Sequence, residues 1–191
     1  MKSMKKTVGA LILICVMLLT CIASANTATK DFGDFSIDLD PGMPCQENQK
    51  AESAVLFVLY PAYNAIGDTA TNFNAVWSSN VTDLTTYRDS DREVFTRMLE
   101  GEITAQYQAV GFTMTDFSVS DIGLLSIGGK PALVYQMTYS LANEDYSGSL
   151  IQRQAVVSDP AFGTYTFTGT AQTPELMETY LAPLFEAISW N

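Results

Sequence analysis

Between residues 112 and 171 the chain consists almost entirely of extended segments separated by short turns. The segments are 112–127, 132–141, 149–157 and Gly163–Ala171. Gly128-Gly129 and Asp159-Pro160 supply typical turn residues between neighbouring segments. In the last segment, Tyr165 and Phe167 alternate with threonines at 164, 166, 168 and 170, so the aromatic and hydroxyl side chains belong to opposite faces. Four consecutive strands joined by tight turns predict an antiparallel meander.

Three further strands are predicted before the meander. Residues 35–39 alternate apolar and polar side chains, which indicates a half-buried strand. Residues 54–60 are apolar on both faces, which predicts a strand covered on both sides and central in its sheet. Residues 72–77 form a shorter and more polar strand.

The clearest predicted helix begins at Ser90, because Ser90 and Glu93 have the spacing of a capping box. Its apolar stripe repeats every three or four residues and comprises Val94, Phe95, Met98, Leu99, Ile103, Tyr107 and Val110. Gly111 provides a C-terminal stop.

A second helix begins at Thr173 as the N-cap, with Pro174 at the first helical position. Its apolar stripe is Leu176, Met177, Tyr180, Leu181, Leu184, Phe185 and Ile188. Pro183 lies inside this helix and removes a backbone hydrogen bond, which predicts a kink near Tyr180. The order of elements predicts an α+β sandwich, with a mainly antiparallel sheet packed by two principal helices, and argues against a doubly wound parallel sheet.

The first 25 residues have the features of a secretory signal peptide: a basic start, an apolar stretch and small residues at 23–25. Two alternatives stay open. Residues 7–25 are uncharged and long enough to serve as a marginal membrane anchor. Cys21 follows Leu18-Leu19-Thr20, which resembles a bacterial lipobox and makes Cys21 the candidate lipidation residue. All three routes predict an extracytoplasmic location for a single domain at 26–191. If the signal peptide is cleaved, we expect no transmembrane segment in the mature chain.

Composition excludes several functions for that domain. Three of the ten basic residues lie in the leader, so seven remain against 21 acidic residues, a net charge of −14. Such a surface repels nucleic acid and anionic lipid. The chain contains no histidine, which removes Ser-His-Asp and Cys-His catalysis and imidazole metal ligands. We expect no cofactor and no metal site.

The remaining candidates for chemistry are weak. Cys45 is alone in the mature domain beside acidic Glu47, so we interpret it as structural. The acidic run at 89–93 lacks the glycine and distal glutamate of a calcium loop, and 143–145 is interpreted as a solvated turn. Asp38 and Asp40 share a strand face, but two carboxylates only two positions apart in the sequence rarely serve as a catalytic acid and base pair.

The loop at 60–67 is the best candidate for a recognition surface, since Tyr60, Tyr63 and Ile66 would be costly to expose without a partner. The alternative is that these side chains tuck beneath the loop as a small satellite cluster.

Four motifs of the chain are F-S-I-D-L-D-P-G at 35–42, A-T-N-F-N at 70–74, I-G-G-K-P-A at 127–132, and Y-T-F-T-G-T-A-Q with the helix that follows it at 165–188. With these motifs the chain resembles the PsbP-like α/β/α sandwich superfamily, in particular bacterial secreted or lipoprotein members of the DcrB kind. The resemblance covers 34–190 and its motifs carry the fold, with none catalytic. It implies an accessory or binding subunit, although a shared fold implies no shared partner.

We therefore expect a non-catalytic extracytoplasmic binding or accessory domain that acts through contacts with an envelope protein. The alternative is a carrier of a small molecule or lipid, with a pocket between sheet and helices. A third hypothesis, an enzyme that acts on envelope glycans with carboxylates alone, has no recognisable acid pair in the sequence.

Overall fold

The computed structural model describes residues 23–24, 29–48 and 54–191. The main sheet has the strands β1 (Ala23–Ser24), β4 (Pro44–Glu47), β5 (Ala54–Leu59), β6 (Asn72–Ser78), β7 (Thr113–Ile127), β8 (Lys130–Ala142), β9 (Ser147–Asp159) and β10 (Gly163–Ala171). Their order is β1-β4-β5-β6-β10-β9-β8-β7, with every neighbouring pair antiparallel. The predicted α+β class and meander are confirmed. Apart from β1, the predicted leader, including Cys21, lies outside the described residues.

A second, three-stranded sheet forms from β2 (Thr29–Asp31), β3 (Phe35–Asp38) and β11 (Ile188–Trp190), in the order β11-β3-β2. β3 is the predicted half-buried strand, with Phe35 and Ile37 buried and Asp38 exposed. Ile188, which was predicted on a helix stripe, instead lies in β11 and pairs with Ile37. That prediction is wrong because an apolar residue continues a helix pattern and starts a buried strand equally well.

The long helix α2 spans Arg92–Ala109. The predicted capping box is wrong: a 3₁₀ turn at Asp89–Asp91 precedes the helix, and its N-cap Asp91 has helical dihedral angles and no side-chain cap. A capping side chain needs an extended N-cap residue, which this turn does not provide. The predicted C-terminal stop is confirmed, because Gly111 has φ +86° and Phe112 N donates to the Tyr107 carbonyl at 2.9 Å.

The buried stripe of α2 is narrower than predicted. Leu99, Ile103 and Tyr107 are buried, while Val94 and Met98 are exposed. A repeat of four residues keeps the buried side chains in a single row, and the two exposed ones lie on the flank of that row.

The C-terminal helix α3 is made of Pro174–Leu176, a π-helical turn at Met177–Leu181, and Ala182–Glu186. Thr173 is the N-cap as predicted, since its hydroxyl accepts from Leu176 N at 3.3 Å. The irregularity expected from Pro183 takes the form of the π turn, which ends just before the segment that contains this proline. A short helix, α1, spans Tyr63–Ile66.

The two faces of the main sheet carry different cores. On one face Tyr165 and Phe167 of β10 pack with β3, β11 and α3. On the other face Leu133, Tyr135 and Met137 of β8 pack beneath α2. We call these the α3 face and the α2 face.

Two strands differ from the simple picture of the sheet. β5 is buried on both faces as predicted, but it lies near one edge and not at the centre. β7 forms the opposite edge, and its pairing with β8 shifts register twice. Asp116 and Asp121, at φ +55° and +53°, lie at these two bulges.

The turn between β7 and β8 supports the C-terminal strand. Gly128 and Gly129 both have positive φ, at +57° and +87°. Trp190 Nε1 donates to the Ile127 carbonyl at 2.8 Å, and its ring stacks on Phe162 at 4.8 Å between centroids. A Cβ atom at Gly128 would come within 2.6 Å of the Ile188 carbonyl oxygen. The turn and β11 therefore fit together only when residue 128 has no side chain.

We expect Gly128→Ala to lower the free energy of unfolding by about 1–3 kcal/mol more than Gly129→Ala, because of that contact. Both positions share the strain of positive φ, but a Cβ at Gly129 meets nothing within 4 Å. Urea unfolding of the two variants measures the difference. Equal losses of stability would show that the packing of β11 on the turn contributes little.

Candidate functional site

The loop that the sequence singled out is divided between the interior and the surface. Tyr60 is partly buried and packs against the cluster of Val55, Val58 and Val76. Tyr63 and Ile66, on α1, are 37% and 59% exposed. The satellite-cluster interpretation therefore fits Tyr60, while Tyr63 and Ile66 remain candidates for contact with a partner.

A second set of residues was not anticipated as a site. The α2 face of β6, β10 and β9 carries amide and hydroxyl side chains where a core would be apolar. We call this set the polar ladder. Its members are Asn72, Asn74, Gln152, Gln154, Thr168 and Thr170, all buried except Gln152, which is half-buried.

Strand register brings these side chains together. Thr168 lies directly opposite Asn74 on one side and Gln154 on the other. The next row along the strands has Thr170 between Asn72 and Gln152. Directly opposed side chains on one face have Cβ atoms about 4.5–5.5 Å apart. The ladder is therefore a continuous patch of polar side chains on one sheet face, two rows deep and three strands wide.

Several hydrogen bonds hold the side chains of the ladder. Gln152 Nε2 donates to Thr170 Oγ1 at 3.1 Å, and Asn74 Nδ2 donates to Asn72 Oδ1 at 3.4 Å. Tyr135 donates its hydroxyl hydrogen to Gln154 Oε1 at 2.6 Å. These bonds hold the side chains in fixed orientations, which pre-organises the surface.

Two atoms at the centre of the ladder have no hydrogen-bond partner among the described residues: Asn74 Oδ1 and Thr168 Oγ1. Asn74 is 9% exposed and Thr168 is 1% exposed, and they are direct cross-strand partners. A buried polar atom without a partner costs about 1–3 kcal/mol. Two such atoms side by side are unusual in a native interior, where nearly all buried polar groups are paired.

The ladder is electrically neutral. In the row that contains both unpaired atoms, the side chains are Val58, Asn74, Thr168, Gln154 and Tyr135 in spatial order. Burial raises the pKa of Tyr135 above its ordinary value, and the charge of Glu102 on α2 raises it further. The phenol therefore stays protonated and acts as a hydrogen-bond donor. Glu102 makes the surroundings unfavourable for an anion.

Apolar groups border the ladder on both sides. Val58, opposite Asn74, belongs to the cluster on which Tyr60 packs. On the other side, the Tyr135 ring lies edge-on to Phe95 of α2 at 5.1 Å between centroids. The ladder is therefore a buried polar strip between apolar side chains. Tyr60, which the sequence analysis predicts as a binding residue, thus lies beside the polar ladder, whose members the sequence analysis does not predict.

The other candidates from the sequence are placed elsewhere and are occupied by structural contacts. Cys45 is buried, and burial raises its pKa to about 11, which fits a structural thiol. Asp38 Oδ1 accepts from Thr29 Oγ1 at 2.6 Å, and Asn143 Oδ1 accepts from the amides of Asp145 and Tyr146 within a turn. Among the residues described, no group of three or more metal-binding side chains converges.

A comparison of the chain with models of protein families finds no matching family, and a comparison with curated proteins finds no relative. Within the described part of the chain, no helix combines the length and the apolar character needed to span a membrane.

We expect Thr168→Val to raise the free energy of unfolding by about 1–2 kcal/mol, because a methyl group replaces a buried hydroxyl that lacks a partner. Thr164→Val is the matched control on the same strand and face. The Thr164 hydroxyl donates to the Asn80 carbonyl at 2.7 Å and lies 2.8 Å from Ser158 Oγ. Its loss should destabilise the protein by about 1–3 kcal/mol. Denaturant titration compares the two, and destabilisation by Thr168→Val would contradict the assignment of an unpaired hydroxyl.

Proposed function

We propose that the protein is a non-catalytic extracytoplasmic binding domain whose ligand is a small molecule held on the polar ladder. The observation that carries the proposal is the pair of buried, unpaired atoms Asn74 Oδ1 and Thr168 Oγ1. A sequence that keeps two neighbouring polar atoms unsatisfied sacrifices stability, and a ligand that supplies the missing hydrogen bonds explains why.

The chemistry of the ladder supports binding more than catalysis. Its side chains are amides and hydroxyls, and Thr168 has direct cross-strand neighbours that are amides, Asn74 and Gln154. A hydroxyl becomes a nucleophile only beside a general base, and an amide is not one. The pKa of Tyr135 is raised, which keeps this residue a donor and prevents it from serving as a base near neutral pH.

The location of the ladder supports the carrier alternative considered from the sequence. The ladder lies on the same face of the sheet as α2. At its border, the ring of Tyr135 contacts Phe95 of that helix. With α3 on the opposite face, helices pack on both faces of the sheet. The predicted leader supports an extracytoplasmic location.

The proposal predicts that the small-molecule fraction of the source cell envelope raises the melting temperature of the protein, because a ligand that binds only the folded state stabilises it. The matched control is the variant Asn74→Leu/Thr168→Val, in which the unpaired atoms are replaced by apolar groups of similar size. We expect its melting temperature to be unaffected by the same fraction. No shift for the wild type, or an equal shift for both proteins, would refute the proposed function.

A second candidate function, that of an accessory subunit of an envelope protein, is favoured by the exposed side chains of α1. Tyr63 and Ile66 lie on a single helical turn that Asn64 fixes by donating to the Gly42 carbonyl at 2.8 Å. A rigid, exposed aromatic and aliphatic pair is typical of the anchors of protein interfaces. The net charge of −14 expected for the mature domain favours a basic partner.

This second function predicts that crosslinking and affinity capture from the native envelope recover a specific partner with the wild type. The variant Tyr63→Ser/Ile66→Ser should lose most of that partner without loss of stability, since both side chains are exposed. Equal recovery by the variant and the wild type would exclude α1 as the interface.

A further inference from the structure

We propose that cleavage of the predicted signal peptide exposes the outer edge of β4, and that this edge binds an extended, basic segment of an envelope protein as an added strand. The proposal rests on the second proposed function, that of an accessory subunit, and on the predicted cleavage after Ala25. It names the surface and the kind of segment that the partner supplies. β1, which pairs with this edge in the structure, shows how such a segment is held.

The strand that covers β4 belongs to the predicted leader. β1 consists of Ala23–Ser24 and pairs antiparallel with Cys45 and Pro44 at one end of the main sheet. Both residues of β1 lie within the small residues at 23–25 that predict the cleavage site. Cleavage after Ala25 therefore removes β1 and makes β4 the edge strand of the main sheet.

The backbone of β4 presents two complete hydrogen-bonding residues on that side. Pro44 O accepts from Tyr60 N at 3.0 Å, and Asn48 N donates to a carbonyl of β5 at 2.7 Å, so the even-numbered residues bond toward β5. Bonding groups alternate in direction along an antiparallel strand, which points the N–H and C=O groups of Cys45 and Glu47 toward β1. Removal of β1 leaves these four groups without a partner among the described strands.

The β4 edge is suited to strand addition, whereas the opposite edge of the sheet is not. The pairing of β4 with β1 and with β5 runs without a shift of register, but the pairing of β7 is interrupted twice. A regular edge with free backbone groups is a template for a strand from another chain. Addition of an extended segment to such an edge is a recurring mode of peptide recognition.

Charge selects a basic segment as the occupant of this edge. The net charge of −14 expected for the mature domain repels a second copy of the chain, which disfavours a dimer formed edge to edge. Glu47 is the charged residue of β4 and pairs with Lys30, yet its side chain is 49% exposed, against 13% for Lys30. A lysine or arginine of the added strand can therefore interact with Glu47.

The direction of pairing brings the added segment to α1. Because β1 runs antiparallel to β4, the C-terminal end of a segment in its place emerges beside Gly42. Asn64 of α1 donates to the Gly42 carbonyl at 2.8 Å, so α1 lies at that end of β4. Its exposed side chains, Tyr63 and Ile66, are available to a large apolar residue of the same segment. The β4 edge and α1 are thus two parts of one interface.

Two processed forms of the chain test the proposal. The form 26–191 lacks β1, whereas the form 21–191, which begins at the lipobox cysteine, retains it. The probe is a synthetic peptide of four Thr-Lys repeats, and a peptide of four Thr-Glu repeats is the control for charge. We expect a saturating amount of the Thr-Lys peptide to slow hydrogen exchange of the Cys45 and Glu47 amides in 26–191 about tenfold, as measured by NMR. Exchange in 21–191 should not change.

Substitutions at Glu47 separate the backbone contribution from the charge. Glu47→Pro removes the N–H group that points away from β5 and should abolish the protection, since proline cannot donate a hydrogen bond. Glu47→Ala is the matched control, because it retains this N–H group and loses only the carboxylate. It should weaken the protection without abolishing it.

Three results would overturn the proposal: no protection of 26–191, equal protection of 21–191, or equal protection by the Thr-Glu peptide. Protection that rises with protein concentration in the absence of peptide would show that a second copy occupies the edge, which also overturns it. If affinity capture still recovers a partner that depends on Tyr63 and Ile66, the accessory function stands and only strand addition is wrong. If no such partner is recovered either, both fail.

Discussion

The alternation of side chains along β10 is the feature on which both halves of the molecule depend. β10 is hydrogen-bonded to β6 and β9 near the middle of the main sheet. Tyr165 and Phe167 project into the aromatic core, where each contacts Phe35 with centroids 5.2 and 5.1 Å apart. Thr168 and Thr170 project to the other face, so a single strand provides the floor of the dry core and the centre of the polar ladder.

This division has an energetic consequence. The α3 face is closed by ring packing and by the Tyr165 hydroxyl, which donates to Asp34. Burial and the bond to Asp34 raise the pKa of Tyr165, so this contact holds across the physiological range. The α3 face can therefore support the fold while the α2 face retains buried groups that reduce stability. One small sheet thus carries its stabilising ring packing on one face and its unpaired polar groups on the other.

The fold was predictable from the sequence where the signals are local. Positive φ angles define the turn at Gly128 and Gly129 and the helix stop at Gly111. The N-cap role of Thr173 depends only on a backbone amide of the turn that follows it. Signals that depend on the rest of the molecule failed. Ser90 and Glu93 have the right spacing for a capping box, yet the 3₁₀ turn before α2 changes the backbone. Ile188 is apolar at helical spacing, yet its position is decided by pairing with distant Ile37.

The candidate site was only partly predictable. Tyr60 was recognised because an aromatic residue in a loop is conspicuous, but Asn74, Gln154 and Thr168 come from three strands and meet only through register. The polar face of an alternating strand is normally assigned to solvent, so the pattern alone did not predict the burial of three of the four threonines in β10. One signal could have indicated the site. Asn72 and Asn74 occupy the same face of a predicted strand, although asparagine is depleted in strands.

The two bulges in β7 have a consequence for how the molecule behaves in a crowded solution. β7 is fifteen residues long and forms an outer edge of the main sheet, where its free backbone groups can recruit a strand from another chain. Asp116 and Asp121 interrupt that edge with left-handed residues, and each places a carboxylate next to the interruption. An incoming strand would find only short stretches in register, bordered by negative charge. The longest strand of the sheet is thereby a poor template for fibril growth.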